Sequence, residues 1–167
     1  SLAGISAPDW MQGRAFLGPN EALPNQWLYG FRGRMDERYD LVRSATDGRY
    51  VYVRNFMPHI PAGQHNAYMF ETPTTRVWKK LFDEGRLNRQ QSLYWEPRAP
   101  EELYDLEKDP DEVRNLAASP EHRETLERMR ATLRKHLLDV RDIGFLPESE
   151  IHSRSRGASP YEIAHDD

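Results

Sequence analysis

Two β-rich runs, residues 41–45 (Leu-Val-Arg-Ser-Ala) and 50–54 (Tyr-Val-Tyr-Val-Arg), flank Thr46-Asp47-Gly48-Arg49. An Asp-Gly pair between such runs favours a tight hairpin, with both central residues at positive φ. The chain is thereby committed to at least one antiparallel strand pair. In the second strand Val51 and Val53 share one face, and Tyr50, Tyr52 and Arg54 share the other. One of these faces is expected to be buried against a helix, the other only in part.

The other elements follow from local signals. Residues 27–31 (Trp-Leu-Tyr-Gly-Phe) form an aromatic strand ahead of the hairpin, and residues 55–71 form a loop. Thr72-Pro73 supplies an N-cap with proline at the first helical position, and Gly85 supplies a stop. Val77, Trp78, Leu81 and Phe82 fall on one face of that helix, a core pattern rather than a sugar-stacking platform. A short helix is expected near residues 87–92, and a strand over 102–106 ended by Asp109-Pro110. Ser119-Pro120 opens the longest helix, with Leu126, Met129, Leu133, Leu137 and Val140 as its apolar stripe and Gly144 as its end. His122 and His136 are placed on its surface. The order strand, hairpin, helix, strand, long helix predicts an α+β fold: a small antiparallel β-sheet packed against a long C-terminal helix.

Composition narrows the function classes. The chain of 167 residues carries a net charge of −4 with acids and bases interspersed, which suits neither nucleic acid nor an anionic membrane. No apolar run reaches the roughly 18 residues of a membrane span. Cysteine is absent, so there is no disulfide framework, thiolate metal site or cysteine nucleophile. Prolines and glycines crowd residues 1–26, leaving Trp10, Met11, Phe16 and Leu17 without a local packing partner.

The segment from Glu102 to Ala117, ELYDLEKDPDEVRNLA, resembles the C-terminal signature of the type I sulfatases. Physically it is a folding motif. Leu103 and Leu106 can anchor an edge strand, Asp109-Pro110 turns the chain, Asn115 can bond backbone, and Leu116 returns to the core. Residues 8–17 resemble the family's linker out of its catalytic α/β domain, and residues 34–44 with 50–56 resemble the first strands of its C-terminal subdomain. The wording is closest to bacterial heparan N-sulfatase (sulfamidase)-like enzymes, and residues 144–163 resemble a continuation in larger bacterial sulfatases.

The resemblance implies three segments: 1–26 as linker from a catalytic domain outside this chain, 27–142 as the sulfatase C-terminal subdomain, and 143–167 as an extended tail. It implies a parent enzyme that hydrolyses sulfate esters or N-sulfates of sulfated sugars, using a formylglycine made from Cys or Ser within C/S-x-P-S/A-x-R and one Ca2+. That nucleophile motif is not found in this sequence, so no catalytic and no metal residue is carried over, and the chain alone is expected to be inactive. Its implied partners are the catalytic domain and a sulfated carbohydrate. An exposed apolar face where that domain docks would promote self-association. A periplasmic or secreted location is implied for the parent only.

In such a subdomain the residues that can touch substrate are Arg34, Asp36, Glu37 and Arg38, with His59 and His65 in the following loop. Arginine binds sulfate or carboxylate through paired hydrogen bonds, Asp36 or Glu37 can accept from sugar hydroxyls, and histidine can donate to an anion. The bland alternative is a solvated loop whose charges pair among themselves. His59 and His65 lack a carboxylate at ligand-like spacing, so they are not assigned a metal. Two other functions stay open on the residues: a phosphonate or phosphate monoester hydrolase of the same superfamily, and a stand-alone carbohydrate-binding module.

Overall fold

The structure, a computed structural model, describes residues 1–9, 11 and 13–166. Trp10 and Gln12 of the expected linker lie outside the described residues. Four strands, β1 (Leu28–Arg32), β2 (Val42–Thr46), β3 (Tyr50–Asn55) and β4 (Glu101–Asp105), form one antiparallel sheet in the order β1-β2-β3-β4. The longest helix, here α4 (Arg123–Asp139), packs across β2 and β3. This is the expected α+β arrangement.

The register decides which face the helix covers. Tyr29, Ala45, Tyr52 and Leu103 stand opposite one another in a row across the four strands. Ala45, Tyr52 and Leu103 meet Leu126, Met129 and Leu133 of α4, with Leu116 closing one side. The buried face of the hairpin is thus the one carrying Tyr52, whereas Val51 and Val53 are half-buried on the opposite face. The tyrosine ring supplies more apolar area than valine, and its hydroxyl reaches Glu101 at 2.5 Å, which satisfies the one polar atom it would otherwise bury.

The hairpin turn departs from the expected geometry. Only Gly48 has positive φ, at 91°. Asp47 instead accepts the backbone N–H groups of Arg49 (3.1 Å) and Tyr50 (2.7 Å) on its carboxylate. Side-chain turn closure of this kind removes the need for a second left-handed residue.

The 102–117 motif acts as a clamp on the sheet edge. The Asn115 carboxamide accepts from the N–H of Leu103 (3.0 Å) and of Ala117 (2.9 Å), and donates to the Glu101 carbonyl (3.0 Å). The Leu116 N–H donates to the Leu103 carbonyl at 2.8 Å. Leu106 lies just past the strand and is half-buried rather than part of the core row.

Three further helices lie between β3 and β4: α1 (Ala67–Glu71), α2 (Pro73–Asp83) and α3 (Arg89–Ser92). Helix α2 starts at the Thr72 cap with Pro73 at N1, as expected, but Val77 points outward and is 56% exposed. Trp78 stacks on Tyr94 with centroids 4.8 Å apart and meets the Trp95 edge at 5.1 Å. Helix α1 lies inside the expected loop and is started by Asn66, whose side chain accepts from the Met69 N–H.

Helix α4 is preceded by a short tight turn at Pro120–His122 and stops at Asp139, not at Gly144. Arg141 at φ 47° breaks it first. His136, expected on the surface, is half-buried and stacked on Tyr29 with centroids 3.6 Å apart. Burial lowers its pKa below the usual histidine value. The tail is not extended throughout, since it carries α5 (Glu148–Arg154) and α6 (Pro160–His165). Residues 1–26 hold no helix or strand among the described residues, and Leu2, Phe16 and Leu23 are each at least 80% exposed.

Leu103 has no exposed surface, so Leu103→Ala opens a cavity between sheet and helix. The variant is expected to lose about 3 kcal/mol in urea unfolding, with an unchanged m-value.

Candidate functional site

The connection from β1 to β2 narrows to a tight turn. Met35 and Arg38 exchange two backbone hydrogen bonds of 2.9 and 3.0 Å, and Asp36 at the tip has φ 52°. Aspartate tolerates this left-handed conformation better than most residues. The turn lies against the segment leading into α1. Asp36 accepts from the Asn66 side chain at 3.3 Å, and Glu37 accepts the Ala67 N–H at 2.6 Å. Arg38 reaches the Met69 sulfur at 3.5 Å, and Gln64 donates to the Tyr39 carbonyl at 3.0 Å. Asn66 is wholly buried at this junction.

The acids of the turn therefore pair with the neighbouring loop rather than with each other. The Ala67 hydrogen bond is the main reason that the Glu37 carboxyl sits below the usual range, with His65 and Arg38 contributing. His65 lies beside this group and stacks on Phe70, with centroids 4.7 Å apart. The structure thus brings Asp36, Glu37, Arg38 and His65 together. Arg34 points the other way and pairs with Glu148 of α5. His59 is exposed in a turn closed by the Ile60 N–H to the Met57 carbonyl at 3.1 Å. No hydrogen bond or ring contact ties His59 to the 34–38 turn among the described residues.

Beneath both loops lies a device that sequence reading missed. Asp40 is 1% exposed and holds Arg98 by two bonds of 2.7 and 3.0 Å, with Arg32 at 3.4 Å. Arg98 also donates to the carbonyls of Ile60 (3.0 Å) and Met57 (3.2 Å). One guanidinium so ties the start of β2 to the His59 turn. A second buried pair, Arg43 with Asp142 at 2.5 and 3.2 Å, joins β2 to the chain after α4. Burial alone would raise the Asp142 carboxyl, but hydrogen bonds from Arg43 and the Gly144 N–H outweigh it and hold it below the usual range.

Arg34 and Asp36 also form one wall of a groove of about 800 Å³. Its other walls are β1, the C-terminal end of α4 and the tail helices, with Tyr29, His136 and Tyr161 among its lining. Its charged lining is balanced, three arginines against four carboxylates, with Arg34 paired to Glu148 and Arg43 to Asp142. No cluster of three or more metal-ligating side chains occurs among the described residues. No helix is long and apolar enough to cross a membrane among the described residues.

Comparisons with known proteins fit this architecture. No family model matches the chain. The ulvan-active sulfatase of Formosa agariphila is 34% identical over 152 residues, covering 90% of this chain and 26% of that protein. Two solved structures share the fold: a sulfatase-type protein of Bacteroides thetaiotaomicron and a 2-O GAG sulfatase. Each has a TM-score of 0.54 and 22% identity, over 84% of this chain and 23% of the other.

Two outcomes test the buried pairs. Asp40→Ala leaves Arg98 uncompensated and should cost about 3–5 kcal/mol by chemical denaturation. The depressed Asp142 carboxyl stabilises the fold above the unfolded-state value of about 3.9. That contribution is lost as pH falls through its lower folded-state value. The stability gap between the parent chain and Asp142→Asn should therefore be constant above about pH 5 and shrink towards pH 2, read from urea midpoints.

The chain spans about a quarter of the length of the proteins it matches: it is similar in sequence to one sulfatase and shares its fold with part of the two solved structures.

Proposed function

We propose that this chain is the C-terminal subdomain of a sulfatase that acts on a sulfated polysaccharide, and that it supplies a substrate-contacting wall rather than the reacting groups. The observation that carries the reading is 34% identity to an ulvan-active sulfatase along 90% of the chain. The likeness of fold to a 2-O GAG sulfatase supports the same substrate class. A formylglycine, which would supply the nucleophile, and a Ca2+ ion, which would hold the sulfate oxygens, would belong to a catalytic domain outside these residues. Whether the bond cleaved is an ester or an N-sulfate depends on that domain.

Within this reading the 34–38 turn is the contact surface. Arg38 carries charge for sulfate or carboxylate groups with His65 nearby, and Arg34 offers a second charge on the other side of the turn. Asp36 and Glu37 each keep free lone pairs after their protein hydrogen bonds and can accept from sugar hydroxyls. Such contacts act on ground state and transition state alike, so they govern KM more than kcat.

Sulfate release from ulvan and from glycosaminoglycan fragments, followed by ion chromatography, tests the proposal. The isolated chain should release none, and a longer protein containing it should. In that longer protein Arg38→Ala should raise KM about tenfold, with kcat changed less than threefold. Hydrolysis of an added phosphate monoester such as p-nitrophenyl phosphate, with no sulfate release from the sugars, would replace this reading with a phosphoester hydrolase.

A further inference from the structure

A second groove, of about 730 Å³, lies on the other flank of α4. Its floor is Tyr52 and Arg54 of β3 with Phe56 just beyond the strand, and one wall is Arg130, Leu133, Arg134, Leu137 and Leu138 of α4 with Arg141 just past the helix end. None of the substrate-contact residues named above lines it.

The groove has two unusual properties. The first is charge. Four arginines line it against two carboxylates, in a chain whose net charge is −4. One of those carboxylates, Asp142, is already engaged from behind by Arg43. The other, Glu101, orients two of the arginines. It binds Arg130 through bonds of 2.8 and 2.9 Å and has Arg54 at 3.8 Å, while accepting the Tyr52 hydroxyl. The Arg134 guanidinium is exposed and has no hydrogen-bond or ion-pair partner among the described residues.

The second property is the aromatic end wall. Phe56 and Phe145 meet edge to face, with centroids 4.7 Å apart and planes at 89°. Arg54 lies over Phe56 at 5.5 Å, and Arg43 over Phe145 at 5.2 Å. Phe145 keeps 41% of its surface exposed and Leu138 66%. Fixed cations beside a partly open aromatic and aliphatic wall match a ligand that pairs anionic groups with apolar ring faces.

We propose that this groove is a second binding site for an acidic oligosaccharide, holding sulfate or carboxylate groups on Arg134, Arg54 and Arg130 with a sugar ring against Phe145. The inference rests on the reading that the chain serves an acidic polysaccharide. It assigns that polymer a hold on the protein apart from the 34–38 turn, and so a means of staying attached between cleavage events.

The test is titration calorimetry of the full 167-residue chain with a heparin-derived tetrasaccharide, its desulfated counterpart and a poly-glutamate peptide. The sulfated tetrasaccharide should bind, and its affinity should fall steeply with salt. Arg134→Ala should weaken binding at least fivefold without changing the circular dichroism spectrum, because the side chain is exposed and supports no other contact. Arg123→Ala, an exposed arginine at the far end of α4 and outside both grooves, should leave binding within twofold. Binding unchanged by Arg134→Ala, weakened as much by Arg123→Ala, or equally strong for the desulfated sugar overturns the proposal. Tighter binding of poly-glutamate would assign the groove to an acidic protein segment instead. These outcomes are independent of sulfate release by the longer protein, so failure here leaves that reading standing.

Discussion

The contact between one face of the sheet and one side of α4 is what the rest of the molecule depends on. Leu103 and Met129 are both wholly buried there, and the row through Ala45 and Tyr52 lies directly beneath the helix. With so few fully buried side chains, little redundancy exists, and each large one carries an appreciable share of a marginal stability. The Asn115 clamp matters for this reason. It holds β4 in register so that Leu103 faces the helix, because a slip of one residue would turn it to the other side.

Polar anchors carry the position of the loops outward from that core. Asp40 with Arg98, and Arg43 with Asp142, each bury charge that apolar packing could replace at little thermodynamic loss. What an apolar pair would lack is direction. The Arg98 guanidinium reaches two carbonyls as well as a carboxylate, and so sets where the His59 turn lies relative to β2. The 34–38 turn is then braced against Asn66 and Ala67. Such rigidity favours binding of any ligand that the turn contacts, since less freedom is lost.

How much of this was legible in the sequence follows from the range of each interaction. The hairpin, the Thr72-Pro73 start of α2 and the short helix near residues 87–92 are set by residues within a few positions, and local rules reached them. So did the 102–117 motif, whose clamp closes over about a dozen residues. The buried ion pairs join residues 58 and 99 positions apart, and nothing local marks Asp40 or Arg43 among the many charges around them. Helix α1 was hidden because its only cue, the Asn66 cap, lies in a stretch crowded with proline, glycine and histidine. The choice of Tyr52 over Val51 and Val53 as the buried face depended on where α4 landed, which strand alternation alone does not specify. Of the expected contact residues, the four around Asp36 and His65 share one site, whereas Arg34 and His59 lie apart because separate anchors hold them.

Strand β1 has a neighbour on one side only, since the sheet order begins with it. No segment hydrogen-bonds to its outer edge among the described residues, and Phe31 at 84% and Leu28 at 59% exposure flank that edge. An edge of this kind is a half-finished ladder whose unpaired amides and carbonyls can accept one more extended strand. Completing the ladder would turn a four-stranded sheet into a five-stranded one without moving α4. The same chain can therefore be a well-behaved component when that edge is occupied and a seed for sheet growth when it is left open.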